Sequence, residues 1–510
     1  MLIQNHAHDS ICGCSTDEVH REMETRFLKV KQVTNKIQEE LLNKDCNEET
    51  NNYLQVINTT GFHRREIVET ELEFPLGPLA EHPSAAPTIN KSKIESIKLK
   101  YRSKSIAHEI IDSYETFKMI RSKDEVPLLQ AIQKVKVIFE ADIEPLSMKS
   151  YEIEQCQDIK NKTSKFENDN YKLTINKDGS LTLALKDTNH MFENIHMISI
   201  ENDMGDEYNF VPSQDLKTIT SKDFKWNIKT IEENSLRKKM LLEIKNNENL
   251  EFVTEITCSS NSTRIDFNTK IKNNLKNKRI RLHFPDALNT SFINADTPFG
   301  CVKRARPPVS WTNYALSQPL HNWIDHSNDL CGLTFFGGGL ADYELYKDGN
   351  GFAITLIRAI GKLSKVKSHS MIETPEAQCN REINFSYAIY PYSGNMQISN
   401  VYENQLAHQV PLITSQSSSQ IDKPSIIASS KELVLSILKR AEDNENLYII
   451  RLFNPTDKNL FNCFLCLNFE YKRVLLLNLN EDSKKTIDSS DRKINFDLKP
   501  FEIITFGIEI

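Results

Sequence analysis

The chain has 510 residues and a formal net charge of −7, with 39% hydrophobic and 26% charged residues. Such a length allows about three domains with sizeable cores. The mildly acidic balance argues against nucleic acid or anionic membrane as partners. The N-terminus carries no charged-then-apolar leader, and no apolar run approaches the roughly 20 residues of a membrane helix, so a cytoplasmic protein is expected. Ten cysteines, mostly isolated in apolar segments, are expected to be inert thiols rather than a disulfide scaffold.

The first residues are dense in polar chemistry: His6-Ala7-His8-Asp9-Ser10-Ile11-Cys12-Gly13-Cys14. Two imidazoles one residue apart, followed by a carboxylate, are the side chains that bind a divalent metal and a polar substrate. Cys12 and Cys14 beside His6, His8 and His20 offer a second reading, a small zinc centre. Their spacing matches no closed structural zinc pattern, which favours a loop packing small residues.

Ser15 and Glu18 have the spacing of a capping box. Val19, Met23, Phe27, Val30, Val33, Ile37 and Leu41 then recur at three- and four-residue steps, predicting a helix over 16–44, on the order of 43 Å long. Its apolar stripe needs partners, because such a helix owes its stability to packing. No second helix of comparable quality follows.

Downstream the pattern is that of strands. Runs at 53–57, 131–139 and 171–175 are separated by Asn, Asp, Gly and Pro clusters, and Lys177-Asp178-Gly179-Ser180 reads as a hairpin turn. The basic runs at 237–239 and 276–279 lie among alternating apolar residues and suit solvated hairpins. Polar stretches at 78–92 and 414–424 suit linkers or long loops. The pattern predicts several β-sandwiches.

Other candidates carry a structural and a functional reading. Asp203, Asp206 and Glu207 offer paired carboxylates, but Gly205 and Asn209 around them favour a tight loop of Asx turns. Arg304, Arg306 and Arg358 have guanidinium forks suited to hydroxyls and carboxylates; Arg358, in a strand-like run, is expected to pair within its sandwich. Trp311 and Trp323 are expected as core or edge aromatics rather than sugar-stacking rings. Cys463 and Cys466 form a CxxC within a strand, where their side chains face opposite ways.

Several segments together resemble bacterial α-mannosidases of glycoside hydrolase family 38. They are the opening His6–Cys14 stretch with Asp17-Glu18-Val19-His20 behind it, Asn58-Thr59-Thr60-Gly61-Phe62-His63-Arg64, and Glu201 through Asn209. Further on come Leu356 through Ser364, Thr374-Pro375-Glu376-Ala377-Gln378, and the closing Lys499-Pro500-Phe501-Glu502-Ile503. All fall in family order. The resemblance implies a mainly β architecture of multiple β-sandwich domains, one of them a large galactose-mutarotase-like sandwich, preceded by one long helix left from a helical bundle. The expected divisions are 1–45 (metal-closing loop and helix), 46–157, 158–412 and 413–510.

The resemblance also implies retaining hydrolysis of terminal α-mannosides: a carboxylate nucleophile, a carboxyl acid and a covalent glycosyl-enzyme, with a divalent metal, usually Zn2+, gripping mannose hydroxyls. His8 matches a metal ligand and Asp9 a carboxylate that binds sugar hydroxyls, while His6 is expected to lend structural support. The nucleophile, the acid and the remaining metal ligands match no residue of this chain, and the family's α/β catalytic domain and most of its helical bundle are expected ahead of it. The chain is therefore expected to be inactive alone, its metal binding only when the missing ligands are supplied. A different class stays open: a carbohydrate-binding or assembly subunit paired with a separately encoded N-terminal catalytic half. A truncated gene product is the third reading. A mannoside or oligosaccharide is the expected substrate.

Overall fold

The computed structural model describes residues 1–42, 51–121, 126–156, 165–213, 218–244, 249–286, 288–290, 292–305, 317–346, 348–365, 370–487 and 489–510. The fold is mostly β, as expected, with one long helix at its start.

That helix spans Asp17–Leu42. It begins one residue later than the capping-box spacing implies, with the Thr16 carbonyl accepting the N–H groups of Val19 and His20. Met23 is its one buried apolar residue among those described; Leu28, Val33, Ile37 and Leu41 remain 52–61% exposed. Much of the predicted stripe is thus uncovered.

The first sandwich sets a five-stranded sheet, centred on Tyr53–Asn58 and Ser147–Cys156, against a three-stranded sheet of Arg64–Leu79, Leu128–Ile143 and His108–Ile120. Leu54, Val56, Leu72, Val135, Val137 and Tyr151 fill the space between. Alternation along each strand puts one apolar face inward.

One strand departs from the sequence reading. Ile413–Ser417, expected as linker and as the start of the last domain, runs antiparallel to Tyr53–Ile57 as an edge of the first sandwich. An edge strand with few apolar residues gives a weak alternation signal. Its polar side chains do the anchoring: Thr414 meets the Thr70 hydroxyl at 2.9 Å, and the Gln416 amide oxygen accepts the Glu73 N–H at 2.6 Å.

The large sandwich packs a nine-stranded sheet against a six-stranded and a three-stranded one, around a core that includes Phe252, Phe267, Phe284, Phe335 and Tyr387. The predicted hairpin forms, with Gly179 at φ 76° in the turn, a backbone region that suits glycine. A last sandwich joins a five-stranded and a three-stranded sheet around Ile450, Leu452, Leu465 and Phe506. In it Cys463 is buried and Cys466 half-buried on the strand Leu460–Leu467.

A second helix of note, Ile398–Gln409, has no counterpart in the sequence reading. Its β-branched residues and its asparagines are weak helix formers. Packing decides instead: Val401 and Tyr402 join Trp323, Phe336, Val434 and Phe453 in one cluster at the seam between the large and last sandwiches. Tertiary burial overrides local propensity there.

Candidate functional site at the N-terminal loop

The chain opens with a 3-10 turn, Ile3–His6, and one helical turn, His8–Ile11. Gly13, at φ 73°, then redirects the backbone into the long helix. Asn5 is the anchor. It is fully buried, its Nδ2 donates to the Met23 carbonyl at 3.1 Å, and Arg26 reaches its Oδ1 at 3.4 Å. With the turn tied down, His8 and Asp9 project outward, 89% and 63% exposed, with His8 Nδ1 3.2 Å from Asp9 Oδ1. His6 is also exposed.

Below this turn lies the 203–209 loop. The Asp203 carboxylate is wholly buried. Its Oδ1 accepts the N–H groups of Gly205 at 2.9 Å and Val211 at 3.2 Å. Asp206 Oδ1 accepts those of Tyr208 at 3.0 Å and Asn209 at 2.9 Å. A Cβ on Gly205 would meet the Asn209 carbonyl oxygen at 1.8 Å, so no larger residue fits. These are Asx turns, and the loop reading of the acidic cluster holds.

Arg358 completes the loop. Its Nε donates to Asp203 Oδ2 at 2.7 Å, and its terminal nitrogens donate to the carbonyls of Asn209 at 2.7 Å, Glu207 at 3.4 Å and Asp206. The guanidinium is paired within the sandwich, as expected of it.

Glu207 is the contact between loop and helix. Both its carboxyl oxygens are buried, drawn towards the Thr374 hydroxyl and the Ser15 amide without closing a hydrogen bond to either. Burial pushes its carboxyl above the usual range, against the pull of Thr374 and His20. Asp17 Oδ1, His20 Nε2 and Thr374 Oγ1 are likewise buried without a partner. Asp17 Oδ2 accepts the Glu376 N–H at 3.2 Å, and ion pairs of Arg21 with Glu376 and of Arg381 with Glu24 pin the helix to the sandwich. Residues far apart in sequence, within 10–27, at Glu207, at Arg358 and Ile360, and within 376–381, thus meet around one cleft of about 550 Å³, which His8 and Asp9 do not line. Burial and the neighbouring Cys12, Glu207 and Asp9 raise the Cys14 thiol above its ordinary value.

Among the described residues no three His, Cys, Asp or Glu side chains come together in a way that holds a metal ion. His8 and Asp9 are two donors on an exposed turn, where a catalytic zinc takes three protein ligands. By themselves they do not make a metal site. The Cys12, Cys14 and His20 alternative gathers no such set either. Elsewhere, Arg304 points to Gln318 Oε1 at 3.3 Å and to the Tyr343 hydroxyl at 3.4 Å. Trp323 is fully buried, edge-on to Tyr402 with ring centroids 5.7 Å apart. Arg306 and Trp311 lie outside the described residues.

Residues 166–362 match the glycosyl hydrolases family 38 C-terminal domain, and residues 432–506 match the family 38 C-terminal beta sandwich domain. The chain belongs to glycoside hydrolase family 38. Among curated relatives, a putative mannosylglycerate hydrolase of Halalkalibacterium halodurans is 25% identical over 574 residues, covering 100% of this chain and 62% of its own length. Alpha-mannosidase G of Dictyostelium discoideum is 24% identical over 263 residues, 48% of this chain and 22% of its own. The crystal structure of an alpha-mannosidase from Enterococcus faecalis superposes with a TM-score of 0.85 at 24% identity, covering 99% of this chain and 62% of that one. The chain therefore spans less than two thirds of the length of these relatives, and the likeness to the solved structure is one of fold.

Proposed function

We propose that this family 38 chain contributes to a retaining α-mannosidase centre, with His8 as one ligand of a divalent metal, zinc in the usual case, and Asp9 as acceptor for sugar hydroxyls. The nucleophile, the acid and the other ligands then come from polypeptide beyond the described residues. The observation that carries this is the anchoring of an exposed His-Asp pair by buried Asn5 above the family's acidic loop. A lone ligand holds no catalytic ion, so the 510-residue chain alone is inactive in this reading. A cytoplasmic location belongs to the same reading; no described helix is long and apolar enough to cross a membrane. The substrate is a terminal α-mannoside or a mannosylated oligosaccharide.

Two assays test this. Hydrolysis of an aryl α-mannoside by the purified chain should stay at background with or without added zinc; metal-dependent turnover would overturn the claim of inactivity. Where zinc does bind, it should be lost in His8→Ala. Stoichiometric zinc that survives that change and disappears in Cys12→Ala removes His8 as the ligand.

A second reading, a carbohydrate-binding or assembly subunit paired with a separately encoded catalytic half, is favoured by the uncovered stripe of Leu28, Val33, Ile37 and Leu41. A stripe of that kind marks an interaction surface. Coexpression with any α/β reading frame encoded immediately upstream restores mannoside hydrolysis under this reading, and leaves it absent if the chain has no such partner.

A further inference from the structure

Where the start of the long helix meets the large sandwich, buried polar atoms gather without partners. They are both carboxyl oxygens of Glu207, Asp17 Oδ1, Thr374 Oγ1 and His20 Nε2. Asp17 is 9% exposed and Thr374 fully buried. Buried polar groups are normally satisfied, and Glu207 is the one described side chain with two such atoms. Its backbone is fixed on both sides: the N–H donates to the Lys362 carbonyl at 2.9 Å, and the carbonyl accepts Arg358 Nη1 at 3.4 Å. The side chain is thereby held against the Ser15 amide, Asp17 and His20.

An ionised carboxylate only accepts hydrogen bonds. Here a second acid, Asp17, presents another unpartnered acceptor, and the nearby guanidinium groups are committed elsewhere. Arg358 holds Asp203 and the loop carbonyls, and Arg21 holds Glu376 and Glu18. Asp206, in the same loop as Glu207, is taken up by the Tyr208 and Asn209 N–H groups, and the Cys14 thiol faces the contact from the turn. Two negative charges in one buried contact, with His20 as the only cationic candidate facing Glu207, are costly. One proton removes one charge and turns an acceptor into a donor. Asp17 has the better-supported carboxylate, with Oδ2 on the Glu376 N–H and its place in the first turn of the helix, so the proton falls to Glu207.

We propose that Glu207 is a positioning residue: as a neutral acid it seats the N-terminal turn, with its His8 and Asp9, on the large sandwich, and the seat loosens when that acid ionises. The value of the seat for chemistry rests on the mannosidase reading, while the seat itself does not. Burial and Asp17 hold the Glu207 carboxyl above its ordinary 4.5, against Thr374, His20 and the Ser15 amide. The seated state therefore keeps a proton that the unseated one sheds. The seat is firmest below pH 4.5 and weakens as pH rises through the raised value.

Amide hydrogen exchange of the full chain tests this, each rate being divided by its intrinsic rate at that pH. The probes are the amides of Ile11, Cys12 and Cys14, bonded within the turn to the carbonyls of Ala7, His8 and Asp9. Their protection should fall about threefold or more between about pH 5 and about pH 8. Glu207→Gln, neutral at every pH and able to donate as the acid does, should keep the protection of the acid form and lose its pH dependence. Glu207→Ala should lack that protection at either pH. His20→Gln should leave the dependence in place, which keeps the test decisive if a Glu207 variant fails to fold. Protection that does not fall with pH in the parent chain overturns the proposal. So does a dependence that persists in Glu207→Gln or vanishes in His20→Gln, because an imidazole would then carry it. No arm requires metal or substrate, so the outcome is separate from that of the mannosidase reading.

Discussion

Arg358 Nε donates to Asp203 Oδ2 at 2.7 Å, and the Asp203 side chain is wholly buried while that of Arg358 is 22% exposed. One ion pair thus fastens a strand of the large sandwich to the loop on which the N-terminal turn rests. The guanidinium supplies donors to the loop carbonyls, and Asp203 Oδ1 takes up two loop N–H groups.

Removing Arg358 leaves a buried carboxylate with two loop N–H groups but no counter-charge. The expected cost of Arg358→Met is about 3–5 kcal/mol of unfolding free energy, read by urea denaturation. Asp203→Asn should cost less, because an amide oxygen still accepts the Gly205 and Val211 N–H groups. A loss below about 1 kcal/mol in Arg358→Met, the range of an exposed pair, shows that the loop is held by its Asx turns alone.

Asn5 makes a local prediction rather than a global one. Its side chain bonds the Met23 carbonyl from a fully buried position, and few other groups hold residues 1–14. Asn5→Ala should free the turn at a cost of about 1–2 kcal/mol, seen as faster amide exchange and easier proteolysis within residues 1–14. The main unfolding transition should not move. A shift of the whole transition would mean that the turn is part of the core.

Much of this was legible in the sequence, and the exceptions share a cause. Strands with one apolar face, such as Leu250–Ser259 with its strict inside-outside burial, announce themselves by alternation. So does the acidic loop, because Asp and Gly at short spacing encode Asx turns locally. The motif singles out His8 and Asp9 in the sequence, and the fold leaves both exposed on the opening turn. What lay hidden depends on contacts distant in sequence. Asn5 looks like any loop asparagine until Met23 closes over it, and Glu207 looks exposed until Ser15 and Thr374 bury it. Ile398–Gln409 is helical because Trp323 and Phe453 pack against it, and Ile413–Ser417 is a strand because Tyr53–Ile57, more than three hundred residues earlier, is its partner.

That last pairing can be broken at one atom. Thr414 lies opposite Val56 in the ladder, and proline there removes a donor and fixes φ. Thr414→Pro should destabilise the first sandwich by about 1 kcal/mol, the value of the Thr70 hydroxyl bond it removes. Increased amide exchange in Tyr53–Asn58, with the last sandwich unchanged, is the expected signature. Were exchange to rise in the last sandwich instead, the strand would belong with that domain after all.

The uncovered stripe should tolerate polar residues. Replacing Leu28, Val33 and Leu41 by Gln removes side chains 52–61% exposed, so stability should change by no more than about 0.5 kcal/mol per site. Any self-association seen in sedimentation velocity should fall. If the triple variant unfolds instead, the stripe is buried in the native protein.

Acid should weaken the large sandwich in two stages. His196 is fully buried, bonded to the Tyr387 hydroxyl at 2.7 Å and stacked on Phe267; burial takes its pKa from about 6.5 to about 3. Burial and the nearby Arg281 take that of His283 to about 4. Between those values and 6.5 the unfolded chain binds protons that the folded one refuses, so stability is full above pH 6.5 and is lost as pH falls through that window. Asp266 resists burial, which alone would raise it, because Arg264 and His408 hold its carboxyl at about 2. Its contribution is present above its ordinary value of about 3.8 and is lost as pH falls towards 2. Unfolding free energy followed by urea denaturation should therefore slope upward with pH from about 4 to 6.5, each histidine adding up to about 1.4 kcal/mol per pH unit. His196→Asn, a residue that accepts the positive φ of 64° at this position, should flatten that slope by about one proton whatever it does to the absolute stability. An unchanged slope would mean that His196 takes up its proton in the folded core.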